Sequence, residues 1–195
     1  MRLQKIVCST ILFSTLVQTA SAGITTSLSV GFGRYRNENG PKDVSQPVGL
    51  AWVLGVGYRY DFASLEGFYY GFKGCGENEY NFVKYDVCAK DRAYGVLSRF
   101  YFLDTFNIIF GYGEHKVTHW LDPQNTQAAR NYAAVEDNTH SGIAYGIGAK
   151  TNLVANLDAF FDVILYSVGN GGDKVSTEVE LFLAGIRFEL KKKKK

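Results

Sequence analysis

The chain predicts an all-β fold: eight antiparallel strands, connected up-and-down and closed into a transmembrane barrel. Three observations predict it. Odd and even positions differ in character along eight stretches, which is the period of a strand. The connections between those stretches alternate short and long. Within the clearest stretch, residues 48–61, Leu50, Trp52, Leu54, Val56, Tyr58 and Tyr60 share one parity. Gly49, Ala51, Val53, Gly55, Gly57, Arg59 and Asp61 share the other. A soluble barrel turns its bulk inward. Here the small face fits a crowded lumen and the bulky face looks into lipid, the arrangement of an outer-membrane barrel.

The N-terminus carries Arg2 and Lys5, an apolar stretch over residues 6–17, and Ala20-Ser21-Ala22. Together these form a secretory signal with a small-x-small cleavage site, so residues 1–22 are assigned to a signal peptide and the mature chain to Gly23 onward. The apolar stretch is too short, and too interrupted by Ser9, Thr10, Ser14 and Thr15, to span a membrane as a helix. Cys8 leaves with the signal. The strands follow at residues 27–36, 48–61, 65–73, 92–103, 106–116, 141–151, 157–166 and 179–190, most near the length that crosses a bilayer at a tilt. Connections 62–64, 104–105 and 152–156 are short; 37–47, 74–91, 117–140 and 167–178 are long and polar. That asymmetry places the long set outside the cell and, with an even strand count, both termini in the periplasm.

Glycine and aromatic placement supports the facing. Gly55 and Gly57, Gly111 and Gly113, and Gly146 and Gly148 occupy the inward parity of their strands. Paired glycines weaken a strand unless opposite walls leave no room for side chains, as in a narrow barrel. Tyr35, Tyr58, Tyr60, Tyr101, Tyr112 and Phe188 lie near strand ends, where interfacial girdles sit. For the third and fourth strands the facing stays open, because Phe68-Tyr69-Tyr70 and Phe100-Tyr101-Phe102 put aromatics on both parities.

Charge and cysteine usage bound the function. The chain has 21 basic and 19 acidic residues, net +2. Two basic residues fall in the signal and five in the tail at 191–195, which leaves 14 against 19, or −5, for residues 23–190. An acidic body argues against nucleic acid as a partner. After cleavage Cys75 and Cys88 remain, an even count in an oxidising compartment, and a disulfide is expected. With no histidine nearby they make a poor zinc site.

The runs Ile109-Phe110-Gly111-Tyr112-Gly113, Tyr145-Gly146-Ile147-Gly148-Ala149 and Gly185-Ile186-Arg187-Phe188-Glu189-Leu190 resemble the small outer-membrane barrels of Gram-negative bacteria. These are the transmembrane domain of outer-membrane protein A and the opacity and adhesion/invasion proteins. The resemblance covers the body to Leu190 and implies a single barrel domain, residues 23–190. It departs at the C-terminus, where the family ends on an aromatic read by the assembly machinery. Here Leu190 holds that place and a solvated lysine tail, 191–195, follows.

Candidate chemistry falls in three groups. Arg59, Glu66, Lys150, Asp158, Asp162 and Arg187 lie on the inward parity. A charge in a tight interior needs a partner, and the resemblance implies a salt-bridge network that plugs the lumen rather than a gated ion path. His115, His119 and His140 fall at the extracellular rim or in the third long loop, near Asp122, Glu136 and Asp137. A histidine with a carboxylate is the minimum for general-base hydrolysis, but rim histidines in polar loops are ordinarily solvated. Lipid A deacylases carry a His-x-Ser pattern, whereas here Ser141 directly follows His140, and the Asp-x-His of omptin-like proteases is absent. The reading is therefore non-enzymatic, with no catalytic, cofactor or metal residues. In the long loops, Tyr80, Phe82, Tyr85 and Tyr132 combine exposed aromatic surface with charge, beside the Cys75–Cys88 pair. Loops on a rigid scaffold are where binding concentrates. The expected function is surface interaction: adhesion, colonisation or host-factor binding by a monomer. A structural envelope protein and a narrow channel are the alternatives, with a lipid A-modifying hydrolase ranked behind them. The expected partners are outer-membrane lipid and lipopolysaccharide, the barrel-assembly machinery and a host surface ligand.

Overall fold

A computed structural model describes residues 23–37, 46–80, 83–102, 105–123, 136–169 and 176–191. The signal assigned to 1–22 and lysines 192–195 lie outside these residues. Eight strands run in order: β1 Gly23–Asn37, β2 Val48–Arg59, β3 Ala63–Tyr80, β4 Val83–Phe102, β5 Phe106–Pro123, β6 Glu136–Val154, β7 Leu157–Gly169 and β8 Ser176–Lys191. Each pairs antiparallel with the next, and β1 pairs with β8 from Gly23↔Lys191 to Asn37↔Thr177, closing the barrel without an edge. The periplasmic turns are tight and stitched to the wall: Tyr101 N–H donates to Phe62 O, Lys150 N–H to Thr105 O and Glu189 N–H to Asn156 O.

Side-chain parity sorts residues as a transmembrane barrel requires. Phe32 (67% exposed), Leu50, Val56, Ile143 and Ile147 (64%) stand on the outer wall. So large an apolar surface is tolerated where the solvent is hydrocarbon. Ala51, Val53, Ile109, Ala144, Ile164, Leu181 and Leu183 face inward and are buried. The two ambiguous strands resolve cleanly. Phe68, Tyr70, Phe72 and Tyr101 point into the lumen, while Tyr69, Phe100 and Phe102 point out.

The lumen thus holds large rings as well as small residues, and glycines on the facing walls make room for them. A Cβ on Gly95 or Gly113 would come within 2.9 Å of the Phe68 ring. One on Gly148 would lie 2.2 Å from Asp162 Oδ1. Gly95 and Gly113 thus leave room for the Phe68 ring and Gly148 for the Asp162 carboxylate.

The extracellular side departs from the sequence expectation. Residues 74–91 are not a loop. β3 and β4 stay paired from Ala63↔Phe100 to Tyr80↔Val83, and β4–β5 pairing reaches Tyr85↔Pro123. The third long connection shortens likewise, because β5 runs to Pro123 and β6 starts at Glu136. β2 begins at Val48, opposite Cys75, and β7 ends at Gly169, opposite Ser141. The wall is therefore uneven. β3 to β6 climb about five residues, roughly 17 Å along the strand, beyond their neighbours. Above the membrane no lipid demands an apolar outer face, so the alternation that marks a strand in the sequence disappears.

Candidate functional site

The lumen holds two layers of polar side chains, and the β3–β4 hairpin forms the β2-side edge of the wall that rises above it. The lower layer gathers on the periplasmic half. Arg99 on β4 places Nη1 2.8 Å from Asp162 Oδ2 and Nε 3.5 Å from Glu66 Oε2. Arg187 on β8 lies 3.2 Å from Glu66 Oε1 and donates to Tyr101 Oη at 2.9 Å. Ser64 Oγ donates to the same Glu66 at 3.1 Å. Nearer the mouth, Arg59 Nη1 reaches Asp158 at 3.2 Å and Glu189 at 3.1 Å, and Lys150 Nζ reaches Asp158 at 3.3 Å. Tyr101 joins the two groups, with the Arg59 guanidinium 4.6 Å from its ring centroid.

All six inward charges named from the sequence lie in this layer: Arg59, Glu66, Lys150, Asp158, Asp162 and Arg187. Two participants were not named, Arg99 and Glu189. Glu189 shares the parity of Arg187 and could have been found by following β8 two residues further. Arg99 was hidden by the aromatic run that follows it on β4. Among the described residues the four cations meet four carboxylates, so the layer is electrically balanced. Burying ion pairs costs desolvation that their attraction roughly offsets. The Arg99–Asp162 contact is an ion pair by distance without hydrogen-bond geometry at Asp162 Oδ2. The layer therefore specifies how six strands meet more than it adds stability.

The upper layer was not anticipated. His115 on β5 is wholly buried, and its Nδ1 lies 2.8 Å from Asp91 Oδ2 on β4, also wholly buried. The expectation of a solvated rim histidine is corrected. Position 115 has the inward parity of Gly111 and Gly113, and the wall continues above it. The Tyr166 ring stands edge-on to His115 at 5.0 Å and stacks on Tyr70 at 5.9 Å. Tyr35, Phe72, Val117, Val179 and Leu181 belong to the apolar core around them. His140 is the cross-strand partner of His115 on β6, not a loop residue. His119 lies in β5. Its side chain, like those of Tyr80, Tyr85, Asp122, Glu136 and Asp137, is outside the described ones, and Phe82 and Tyr132 are outside the described residues altogether.

The hairpin carries the remaining feature. Cys75 and Cys88 are direct cross-strand partners and are joined as a disulfide, with Cα atoms 4.0 Å apart. Cys75 also pairs with Val48, the first residue of β2. The cross-link thus sits at the foot of the projection, in the last row where β3 still has two neighbours. Chemically, the lumen is a packed core of apolar side chains with the two polar layers set in it, and the hairpin is a stiffened paddle. The His115–Asp91 pair is closed to any external substrate.

No protein-family model matches the chain, and no curated protein sequence matches it. Solved structures do. Neisserial surface protein A superposes with a TM-score of 0.53 at 12% identity, covering 86% of this chain and 97% of that one. Ail, the attachment invasion locus protein of Yersinia pestis, in complex with the heparin analogue sucrose octasulfate, gives 0.51 at 20%, covering 85% and 99%. The outer-membrane protein OprG of Pseudomonas aeruginosa gives 0.54 at 14%, covering 90% and 99%. At such identities the shared property is the fold, and here fold, outward apolar belt and turn asymmetry agree. The chain is an eight-stranded antiparallel β-barrel of the bacterial outer-membrane type.

Proposed function

We propose that the protein works in surface interaction, non-enzymatically, by presenting the β3–β4 hairpin to a ligand outside the cell in adhesion, colonisation or host-factor binding. The observation that carries this reading is the cross-linked projection. Cys75–Cys88 fixes the base of a hairpin that rises above the lower half of the rim. A stiff, preformed element loses less conformational entropy when it binds. An envelope-spacing role would need no such element. The ionic layer across the lumen argues against conduction as the main activity, and the sealed His115–Asp91 pair gives no support to hydrolysis. Ail, whose name denotes attachment and invasion, shares the fold and was captured with a sulfated heparin analogue. The partners this reading brings are the barrel-assembly machinery, outer-membrane lipid and lipopolysaccharide, and a host surface ligand, with the barrel as a monomer.

The test compares cells with and without the protein for binding to host cells and matrix, together with two variants. Replacing residues 76–87 by a short Gly/Ser turn should abolish binding while the barrel still assembles. Replacing Cys75 and Cys88 by serine should leave assembly intact and weaken binding. If the hairpin-swapped protein assembles and binds like the parent, the hairpin is not the contact surface, and the connection between β5 and β6 becomes the candidate.

A further inference from the structure

We infer that the Cys75–Cys88 disulfide is a one-sided thiol-exchange site: an external cysteinyl thiol attacks the Cys75 sulfur, and Cys88 is the leaving and resolving group. The inference needs the barrel and its paired β3–β4 hairpin. It is independent of what the hairpin binds.

The two cysteines differ in access although they are directly opposite in the ladder. Side chains alternate along a strand. Gly74 and Ala89 are buried on the inward parity, which leaves Cys75 and Cys88 on the outer face. Cys75 is exposed there, whereas Cys88 is wholly buried. Register explains the difference. Cys88 has a strand on each side, β3 through Cys75 and β5 through Trp120. Cys75 stands in the last row of the β2–β3 ladder, and its partner there, Val48, is itself 53% exposed.

Access of this kind decides which sulfur reacts. A thiolate attacks a disulfide along the S–S axis, from the side away from the leaving sulfur. For Cys88 that path crosses β5 and ends at a buried residue. For Cys75 it comes from the β2 side, at the point where that strand gives out. Buried structural cysteines are inert, and exposed disulfides are the labile ones. Charge does not choose between the two sulfurs. Lys90 lies two residues along β4 from Cys88 on the same face, and Asp86, opposite Glu77, lies two residues the other way. The lysine offers the departing thiolate a nearby cation, which offsets part of the burial that disfavours it.

The step balances. The incoming thiol gives its proton to water, and its sulfur bonds to Cys75 Sγ. The Cys75–Cys88 bond breaks, the electron pair leaves on Cys88 Sγ, and that sulfur takes up a proton. One disulfide replaces another, so no oxidant or reductant is consumed. Return attack by Cys88 expels the thiol and restores the cross-link. The ladder holds the two Cα atoms 4.0 Å apart, so this resolution is intramolecular and fast. While the mixed disulfide lasts, backbone hydrogen bonds alone fasten the foot of the hairpin. A thiol outside the cell is thereby read as a change in hairpin stiffness.

A free tripeptide thiol and a protein cysteine share this chemistry, and two arms of the experiment separate them. The full chain, folded in detergent micelles with its disulfide formed, is incubated with glutathione or with a folded protein that has one exposed cysteine. Samples are quenched in acid, cut with pepsin, and adducts are mapped by mass spectrometry. Because resolution shortens the life of the adduct, single-cysteine variants report each sulfur alone. Cys88→Ser leaves Cys75 and Cys75→Ser leaves Cys88, each reacted with oxidised glutathione. The parent should carry its adduct on Cys75. In the folded variants Cys75 should react roughly tenfold faster than Cys88, and in urea the two rates should converge. Heat-modifiable migration checks the folding of each variant, and if one fails to fold, the adduct map of the parent decides. Adducts with glutathione alone assign the site to small thiols, and adducts in both arms extend it to protein thiols; either result supports the inference. It is overturned by a disulfide that resists both thiols until the barrel unfolds, by an adduct on Cys88, or by equal rates in the folded variants.

Discussion

At the residue scale, position matters more than type. Leu54 and Gly55 are chain neighbours, yet one faces lipid and the other the lumen. Leu54→Arg places a charge near mid-membrane and should cost about 2–4 kcal/mol, read as a lower urea midpoint for the detergent- or vesicle-folded barrel. Gly55→Ser should cost clearly less, because the first atom its Cβ meets is the rotatable Ser27 hydroxyl, at 2.4 Å. In the ionic layer, Arg99→Met removes the cation shared by Glu66 and Asp162 and leaves Asp162 without its ion-pair partner. The expected loss is about 3–5 kcal/mol, that of an uncompensated buried charge, and equilibrium unfolding would measure it. Facing was legible wherever one parity was small. It was illegible at Tyr101 and Arg99, where bulk stands on both faces. It was misleading at His115, where polarity was taken for exposure.

At the element scale, the body of each strand was readable and its extracellular end was not. The alternation that betrays a strand is imposed by lipid on one side and a lumen on the other. Above the membrane both faces meet water, so Gly76–Tyr80 and the segment that opposes it carry no such signature although they are paired residue for residue. Hydrogen exchange separates the two descriptions. Amides of residues 76–80 and 83–87 should be protected far beyond those of a solvated loop, and Cys75→Ser with Cys88→Ser should reduce protection there while residues 63–72 keep theirs. Uniformly fast exchange over 76–87 would mean the hairpin is not formed in solution.

At the scale of the whole molecule, closure was legible from an even number of strands with alternating connection lengths, and closure fixes behaviour. A barrel without an edge unfolds only by breaking a complete ladder, so folded and boiled samples should migrate differently in detergent gels. The contents of the lumen were only partly legible, because which inward charges meet depends on the stagger between strands far apart in sequence. Arg59 and Glu189 are an example, 130 positions apart and 3.1 Å in space. With both layers in place, planar bilayers should show little conductance from the parent. Replacing Glu66 and Arg99 together by alanine should raise it by clearing the waist of the plug.

The disulfide at the foot of the hairpin also decides how the protein answers mechanical load. A ligand that held only the β3 strand of the tip would peel it from β4 one row at a time, starting at Tyr80↔Val83, and unzipping of this kind needs little force per row. Peeling must halt at Cys75–Cys88, where the covalent bond acts as a rivet. Below it β3 is held by β2 and β4 together, so further pulling has to shear many rows at once. A cell tethered through this hairpin would feel a short, compliant extension and then a hard stop. Under reducing conditions the rivet would be gone, and the same tug would be checked only by the paired rows where β2 joins β3, from Val48↔Cys75 downward.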